Sequence, residues 1–278
     1  MPFAASMQAD VANRGSSETI EKPTLRTTKP PFEGRFDTAT PEPTLVTVES
    51  EIYGYSVLGR PLLVYRIGAG HEARLIVGGI HGGYEWNTTV FIEKLIEHLE
   101  DSPSLIPSMI TLYLIPCANP DGLEAGTDRS QGRTNANSVD LNRNWDYQWQ
   151  PTASHGPWLI SGGEAPFSEP ETVALRDFIL SHNVRAVVMY HSAMAEVYSG
   201  AGTETSRTVE LAQLFTSITG YRYAPEGIPG QITTGNAIDW MTLNRITAIE
   251  VDLASHETID WEQNLTAIIA FLSWELGE

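Results

Sequence analysis

Residues 75–91 read Leu-Ile-Val-Gly-Gly-Ile-His-Gly-Gly-Tyr-Glu-Trp-Asn-Thr-Thr-Val-Phe. An apolar run (Leu75–Ile80) breaks at glycines and delivers His81. A stretch whose apolar side chains recur near every 3.6 residues then follows: Val90, Phe91, Leu95, Ile96 and Leu99 within Thr88–Leu99. A fully apolar strand leading into an amphipathic helix is the unit of a sheet buried on both faces. The same alternation continues outward. Strand-like runs occupy Leu62–Ile67, Ile110–Ile115, Ala186–Tyr190 and Ile246–Val251, and helical periodicities occupy Glu169–His182, Ser206–Thr219 and Ile259–Leu276. The pattern predicts one α/β domain over residues 46–278, with a mostly parallel or mixed twisted sheet and helices on both faces. Residues 1–45 carry six of the 17 prolines among polar runs and read as a weakly ordered arm with too little apolar surface to offset its ordering entropy.

Three apolar runs carry a reactive side chain at or near their ends: His81, His191 and Glu250. In an open parallel sheet the crevice beyond the carboxyl ends of the strands is where ligands bind, so residues far apart in sequence are expected to converge on one cleft. An imidazole and a carboxylate a few residues apart, His81 and Glu85, can both ligate Zn²⁺. With His191 they make three protein ligands and leave a fourth position open. A phosphate-binding loop is excluded because no Gly-Lys-Ser/Thr follows the glycines.

Composition narrows the partners. Hydrophobic residues make up 41% of the 278, enough for a sizeable core, and 35 acids against 17 bases leave a formal charge of −18. Such a chain lacks the cations that neutralise nucleic-acid phosphates or anionic lipid surfaces. The single cysteine, Cys117, permits no internal disulfide and reads as a small buried packer. No apolar stretch is long enough to span a bilayer and no secretory signal pattern is visible, so a cytoplasmic location is expected.

The segments Asn119-Pro120-Asp121-Gly122, Arg133-Thr134-Asn135, Val139-Asp140-Leu141-Asn142-Arg143-Asn144-Trp145 and Thr234-Gly235-Asn236-Ala237-Ile238-Asp239-Trp240 are the most specific. With His191 and the strand-borne Glu250 they occur in the order found in zinc metallocarboxypeptidases of the carboxypeptidase A type, which the chain resembles from Tyr55 to about residue 255. The likeness to bacterial members lies in the absence of room for a long pro-domain within residues 1–45. The resemblance implies one zinc per chain on His81, Glu85 and His191. It further implies Arg133 facing the polarised carbonyl oxygen, Asn142 and Arg143 gripping the substrate's terminal carboxylate, and Glu250 as general base and acid. Physics supports each role. Arg143 offers a planar fork matched to a carboxylate, Arg133 a fixed positive charge where an oxyanion develops, and Glu250 a proton acceptor for attacking water.

Two departures accompany the likeness. The ligand pair is spaced H-x-x-x-E rather than H-x-x-E, a residue that Gly82-Gly83 can absorb in a bulged turn. Gln231 stands where carboxypeptidase A has a mobile capping tyrosine. Ile238 aligns with the base of the side-chain pocket, where an apolar residue favours apolar or aromatic side chains; ordinary core packing is its other reading. The leading expectation is a zinc carboxypeptidase acting on a peptide, or an N-acyl amino acid, with a free carboxylate. The alternatives are an amidase on γ-D-glutamyl-diamino acid links of cell-wall peptides, a deacylase of N-acyl amino acids, and an inactive carboxylate-binding module. His71, His98, His155, His182 and His256 read as solvent-facing, and Asp252 as a structural hydrogen-bond partner on the strand face of Glu250.

Overall fold

The structure, a computed structural model, describes residues 48–201, 207–225 and 233–277. The Pro-rich stretch 1–45 and Gln231 lie outside these residues. Four consecutive parallel strands form the centre of an eight-stranded sheet: β4 (Ile110–Ile115), β3 (Glu72–Val77), β7 (Ala186–Ser192) and β10 (Thr247–Leu253). On one side β1 (Glu49–Tyr55) and β2 (Pro61–Ile67) continue antiparallel. On the other, β8 (Glu196–Ser199) runs antiparallel to β10, and the two-residue β9 (Arg222–Tyr223) follows parallel to β8. The sheet is therefore mixed, with parallel strands confined to its middle. Full burial explains that position, since β4 and β7 are buried at every residue.

Helices cover both faces. α1 (Trp86–Asp101), α5 (Arg207–Thr219) and α7 (Trp261–Ser273) pack on one face, where Phe91, Ile92, Leu95, Phe215, Ile268 and Phe271 meet Ile76, Leu114, Val188 and Ile249. Each such side chain contributes about 1.5–3 kcal/mol on burial. The other face takes α4 (Pro170–Ser181) and α6 (Ala237–Leu243), with Leu175, Phe178, Ile238 and Met241 against Val77, Val187, Met189 and Ala248. Trp145 is fully buried in the same layer. The segment between β4 and α4 holds two short helices, α2 (Pro120–Ala125) and α3 (Arg129–Gly132). It also holds a hairpin of β5 (Thr152–His155) and β6 (Trp158–Ser161).

The run Leu75–Ile80 is shorter as a strand than its apolarity suggests. β3 ends at Val77, the chain turns at Gly78-Gly79, and Ile80 and His81 lie in the loop beyond.

Candidate metal and active site

Three neighbouring strands supply the site. His81 follows β3 and lies immediately before a single 3-10 turn, Gly82–Glu85, which runs straight into α1. Gly82 adopts φ +47, and a Cβ there would meet the backbone of Gly122 and Leu123 at 2.6 Å. Only glycine fits, and the turn absorbs the additional residue between His81 and Glu85. The first turn of α1 fixes the surroundings. Thr88 Oγ1 accepts from Gly79 N (2.9 Å) and donates to Glu85 O (2.8 Å). Asn87 donates to the carbonyls of Ser255 and Thr258, both at 2.7 Å, and its Oδ1 accepts from Ser192 Oγ.

His81, Glu85 and His191 converge. Their ligand atoms lie within 4.8 Å of one another, and all three residues are buried. His81 Nδ1 is 2.7 Å from Glu85 Oε1, His191 Nδ1 is 3.0 Å from Glu85 Oε2, and the two Nδ1 atoms are 3.2 Å apart. Burial alone would raise the Glu85 pKa, but the two imidazoles outweigh it and hold the carboxyl well below its usual range. Burial likewise works against a charge on His191, yet the carboxylates of Glu250 and Glu85 push its pKa well up, so the pocket favours a cation. Two imidazole nitrogens and one carboxylate aimed at a common point, with a cavity beside them, fit a zinc ion with an open coordination position.

The second nitrogen of His81 is also held. Asp140 Oδ1 lies 3.1 Å from His81 Nε2 and accepts from Asn142 N at 2.9 Å, while its Oδ2 accepts from Arg133 Nε at 2.8 Å. A carboxylate on the far side of a ligand imidazole fixes its ring orientation and tautomer. Burial would raise the Asp140 pKa, but Arg133 and His81 prevail and keep it well below the normal value. Arg133 Nη1 also reaches within 3.5 Å of Glu85 Oε1. Asp140 stands inside the motif read from sequence without having been given a task there. The requirement that a ligand histidine have an outer partner was the signal for it.

Glu250 lies on β10, and its Oε1 accepts from Asn142 Nδ2 at 2.8 Å and sits 3.5 Å from His191 Nε2. Burial raises its pKa, and His191, Asn142 and Arg143 more than reverse this, leaving it lowered. Asn142 is held at both ends of its amide, since its Oδ1 accepts from Ala237 N (3.0 Å) at the start of α6. Arg143 is buried, donates from Nη1 to Asn142 O at 2.5 Å, and has an Nε with no partner among the described residues. Gly235, with φ +64, packs its backbone on Arg143, where a Cβ would come within 2.1 Å of the carbonyl oxygen. That contact joins the Asn142–Arg143 turn to α6.

A cavity of about 780 Å³ opens over these groups. His81, Glu85, Arg133, Asn142, Arg143, His191, Ile238 and Glu250 all line it, so the structure brings together every expected site residue it describes. It also brings in residues the sequence reading left aside. Asp239 and Asp252 line the wall beside Glu250. Burial, then the Glu250 charge, pushes the Asp239 pKa up to about 6 against the pull of Ala201 N and Arg143.

His155 lines the cavity too, and His256 is half-buried against Tyr84 (4.5 Å between ring centroids) with its Nδ1 2.8 Å from Ser192 Oγ; neither is the solvent-facing residue expected. His182 and His98 are likewise half-buried, on Phe178 and Trp261, whereas His71 is exposed. Cys117 is half-buried rather than a core packer, its thiol pushed up to about 12 by burial.

A profile of the zinc carboxypeptidase family matches residues 37–267. This chain belongs to that family. Its members are zinc-dependent hydrolases, and this member is a zinc metallopeptidase-like enzyme whose His-Glu-His group could hold the ion. It is 31% identical over 243 residues to murein peptide amidase A of Escherichia coli K12, covering 81% of this chain and 90% of that protein. It is 26% identical over 205 residues to γ-D-glutamyl-L-diamino acid endopeptidase 1 of Lysinibacillus sphaericus, covering 60% of this chain and 52% of that one. Among solved structures, the murein-tripeptide amidase of E. coli O157 superposes with a TM-score of 0.61 at 26% identity, covering 81% and 92% of the two chains. Bovine thrombin-activatable fibrinolysis inhibitor, at TM-score 0.70 and 20% identity over 81% and 89%, shares the fold. Among the described residues no helix is long and apolar enough to cross a membrane.

Proposed function

We propose that this enzyme hydrolyses the amide bond between a γ-D-glutamyl residue and a terminal diamino acid in cell-wall peptides. The observation that carries this reading is Asp239, a carboxylate on the cavity wall next to Ile238. One Asp239 oxygen accepts from Ala201 N at 2.6 Å, and the other makes no hydrogen bond among the described residues. A terminal diamino acid offers what these residues complement: a carboxylate for the Arg143 fork, an apolar stem for Ile238, and a side-chain ammonium for Asp239. The length of the likeness to murein peptide amidase A supports the same substrate class.

His81, Glu85 and His191 would hold zinc, which when bound would supply a Lewis acid and lower the pKa of the attacking water. Glu250, steadied by Asn142, takes the proton of that water and delivers it to the leaving amine. Arg133, oriented by Asp140, presents fixed positive charge to the carbonyl oxygen as it becomes anionic, an effect of about 3–4 kcal/mol in comparable donor deletions. The second reading, a carboxypeptidase for apolar C-terminal residues, draws on the buried, apolar Ile238. A hydrolysis panel separates them, using L-Ala-γ-D-Glu-meso-diaminopimelate, N-blocked dipeptides ending in Phe or Leu, and N-acyl amino acids. The expected outcome is a kcat/KM at least tenfold higher on the γ-linked peptide. Preference for the Phe or Leu dipeptides refutes the amidase reading.

A further inference from the structure

The hairpin β5–β6 reaches the cavity through His155. It is anchored there because Asp140 N donates to Ser161 O at 2.9 Å and Asn144 Nδ2 to Gly162 O at 2.7 Å. His155, at the end of β5, is half-buried and lines the cavity, and its Nδ1 is sealed from solvent with no hydrogen-bond partner among the described residues. A histidine kept for structure uses its nitrogens on neighbours, since an unpartnered buried polar atom is costly. Here the ring is positioned by stacking instead, 6.3 Å from Trp158 at an interplanar angle of 24°, and Trp158 in turn carries the Arg129 guanidinium at 3.5 Å. Contact with cavity contents therefore falls to Nε2. The charges that weigh on this ring are Arg133, His81, Asp140 and Arg143. His155 and Arg133 both line the cavity, and the Arg133 charge bears on the His155 ring.

A γ-linked glutamyl residue differs from an ordinary α-linked one in chemistry at that point. Its free α-carboxylate is separated from the scissile carbonyl by the Cα methine and two methylenes, a position where an α-linked residue presents no anion unless its own side chain is acidic. We infer that His155 is a specificity-determining residue that donates its Nε2–H to the free α-carboxylate of the γ-glutamyl residue. The inference rests on the γ-glutamyl reading above. It assigns to the hairpin the discrimination between γ-linked and α-linked acyl groups, in the electrostatic field of Arg133.

The test uses the zinc-loaded full chain and two peptides, L-Ala-γ-D-Glu-meso-diaminopimelate and its α-carboxamide counterpart built on D-isoglutamine. The wild type is expected to prefer the free carboxylate. His155→Ala should reduce the kcat/KM ratio of carboxylate to carboxamide by about tenfold or more, the range of one hydrogen bond to a charged group. His155→Gln, which restores an N–H at similar reach, should recover most of that ratio, and a merely structural role would leave the ratio unmoved. An unchanged ratio in His155→Ala, or a proportional fall on both peptides, overturns the inference while leaving the amidase reading intact. A wild-type enzyme that cleaves neither peptide refutes the γ-glutamyl reading and the inference with it.

Discussion

Replacing Asp140 by asparagine keeps the shape of the most connected side chain in the site and removes its charge. In the native arrangement two carboxylate oxygens serve three donors: His81 Nε2 at 3.1 Å, Asn142 N at 2.9 Å and Arg133 Nε at 2.8 Å. An amide has one acceptor oxygen, so its NH₂ must oppose either the imidazole N–H or the Arg133 N–H. One buried donor left without a partner costs about 1–3 kcal/mol, and the guanidinium side lies at the upper end. Loss of the outer partner of a ligand histidine lowers metal affinity by about 10–100-fold, or about 1.4–2.7 kcal/mol. Asp140→Asn is therefore expected to bind zinc 10–100-fold more weakly in a chelator-competition titration and to unfold at lower urea concentration. Glu171→Gln is the control. Glu171 is also buried, but it bonds Val57 N and Asn135 Nδ2, away from the ligands, so this variant should lose stability and keep its zinc affinity. Zinc affinity within twofold of wild type for Asp140→Asn would refute the reasoning that the outer carboxylate holds His81 in place.

Glu250→Gln should keep one zinc per chain by elemental analysis and lose about 10²–10⁴-fold in kcat, the usual worth of a positioned general base. Gly82→Ala forces a Cβ to within 2.6 Å of the Gly122 and Leu123 backbones at positive φ; at least about 1–3 kcal/mol of stability and most of the zinc should go, measured by thermal melting and metal content. The carboxyl of Asp239, raised to about 6, is charged at pH 7 and becomes neutral as the pH falls below that value. The preference for a diamino acid over an apolar residue, taken as a ratio of kcat/KM values, should therefore decline between pH 7 and 5. Asp239→Asn should show a small ratio that is flat over the same range.

The sheet's central strands were legible because full burial leaves an unbroken apolar run; Ile110–Ile115 coincides with β4, and Ala186–Tyr190 lies within β7. β1 is not set apart in the sequence because it is an edge strand, mostly exposed, whose Ile52, Tyr53 and Tyr55 are interspersed with Glu, Ser and Gly. β8 and α6 are four and seven residues long, too short for any periodicity to stand out. Within the site, the residues sharing a motif or a strand with a recognisable partner were readable from spacing. Asp239, His155 and His256 were not, because each meets the cavity or the adjoining turn only through tertiary contact. His155 in particular arrives on a hairpin whose seat depends on Ser161, and no local pattern in residues 152–161 announces that approach.

Of the metal donors, His191 is carried by β7, and His81 and Glu85 sit on the loop and 3-10 turn directly after β3; β3, β7 and β10 are adjacent, parallel and enclosed by helices. Amide hydrogens in such strands exchange only when the whole domain opens. The donor atoms are thus mounted on, or directly after, the slowest-exchanging part of the molecule, in contrast to small zinc modules whose chains collapse once stripped of metal. Dialysis against a chelator should leave a cooperative, structured apoprotein, and readdition of the ion should restore turnover at the pace of binding rather than of refolding.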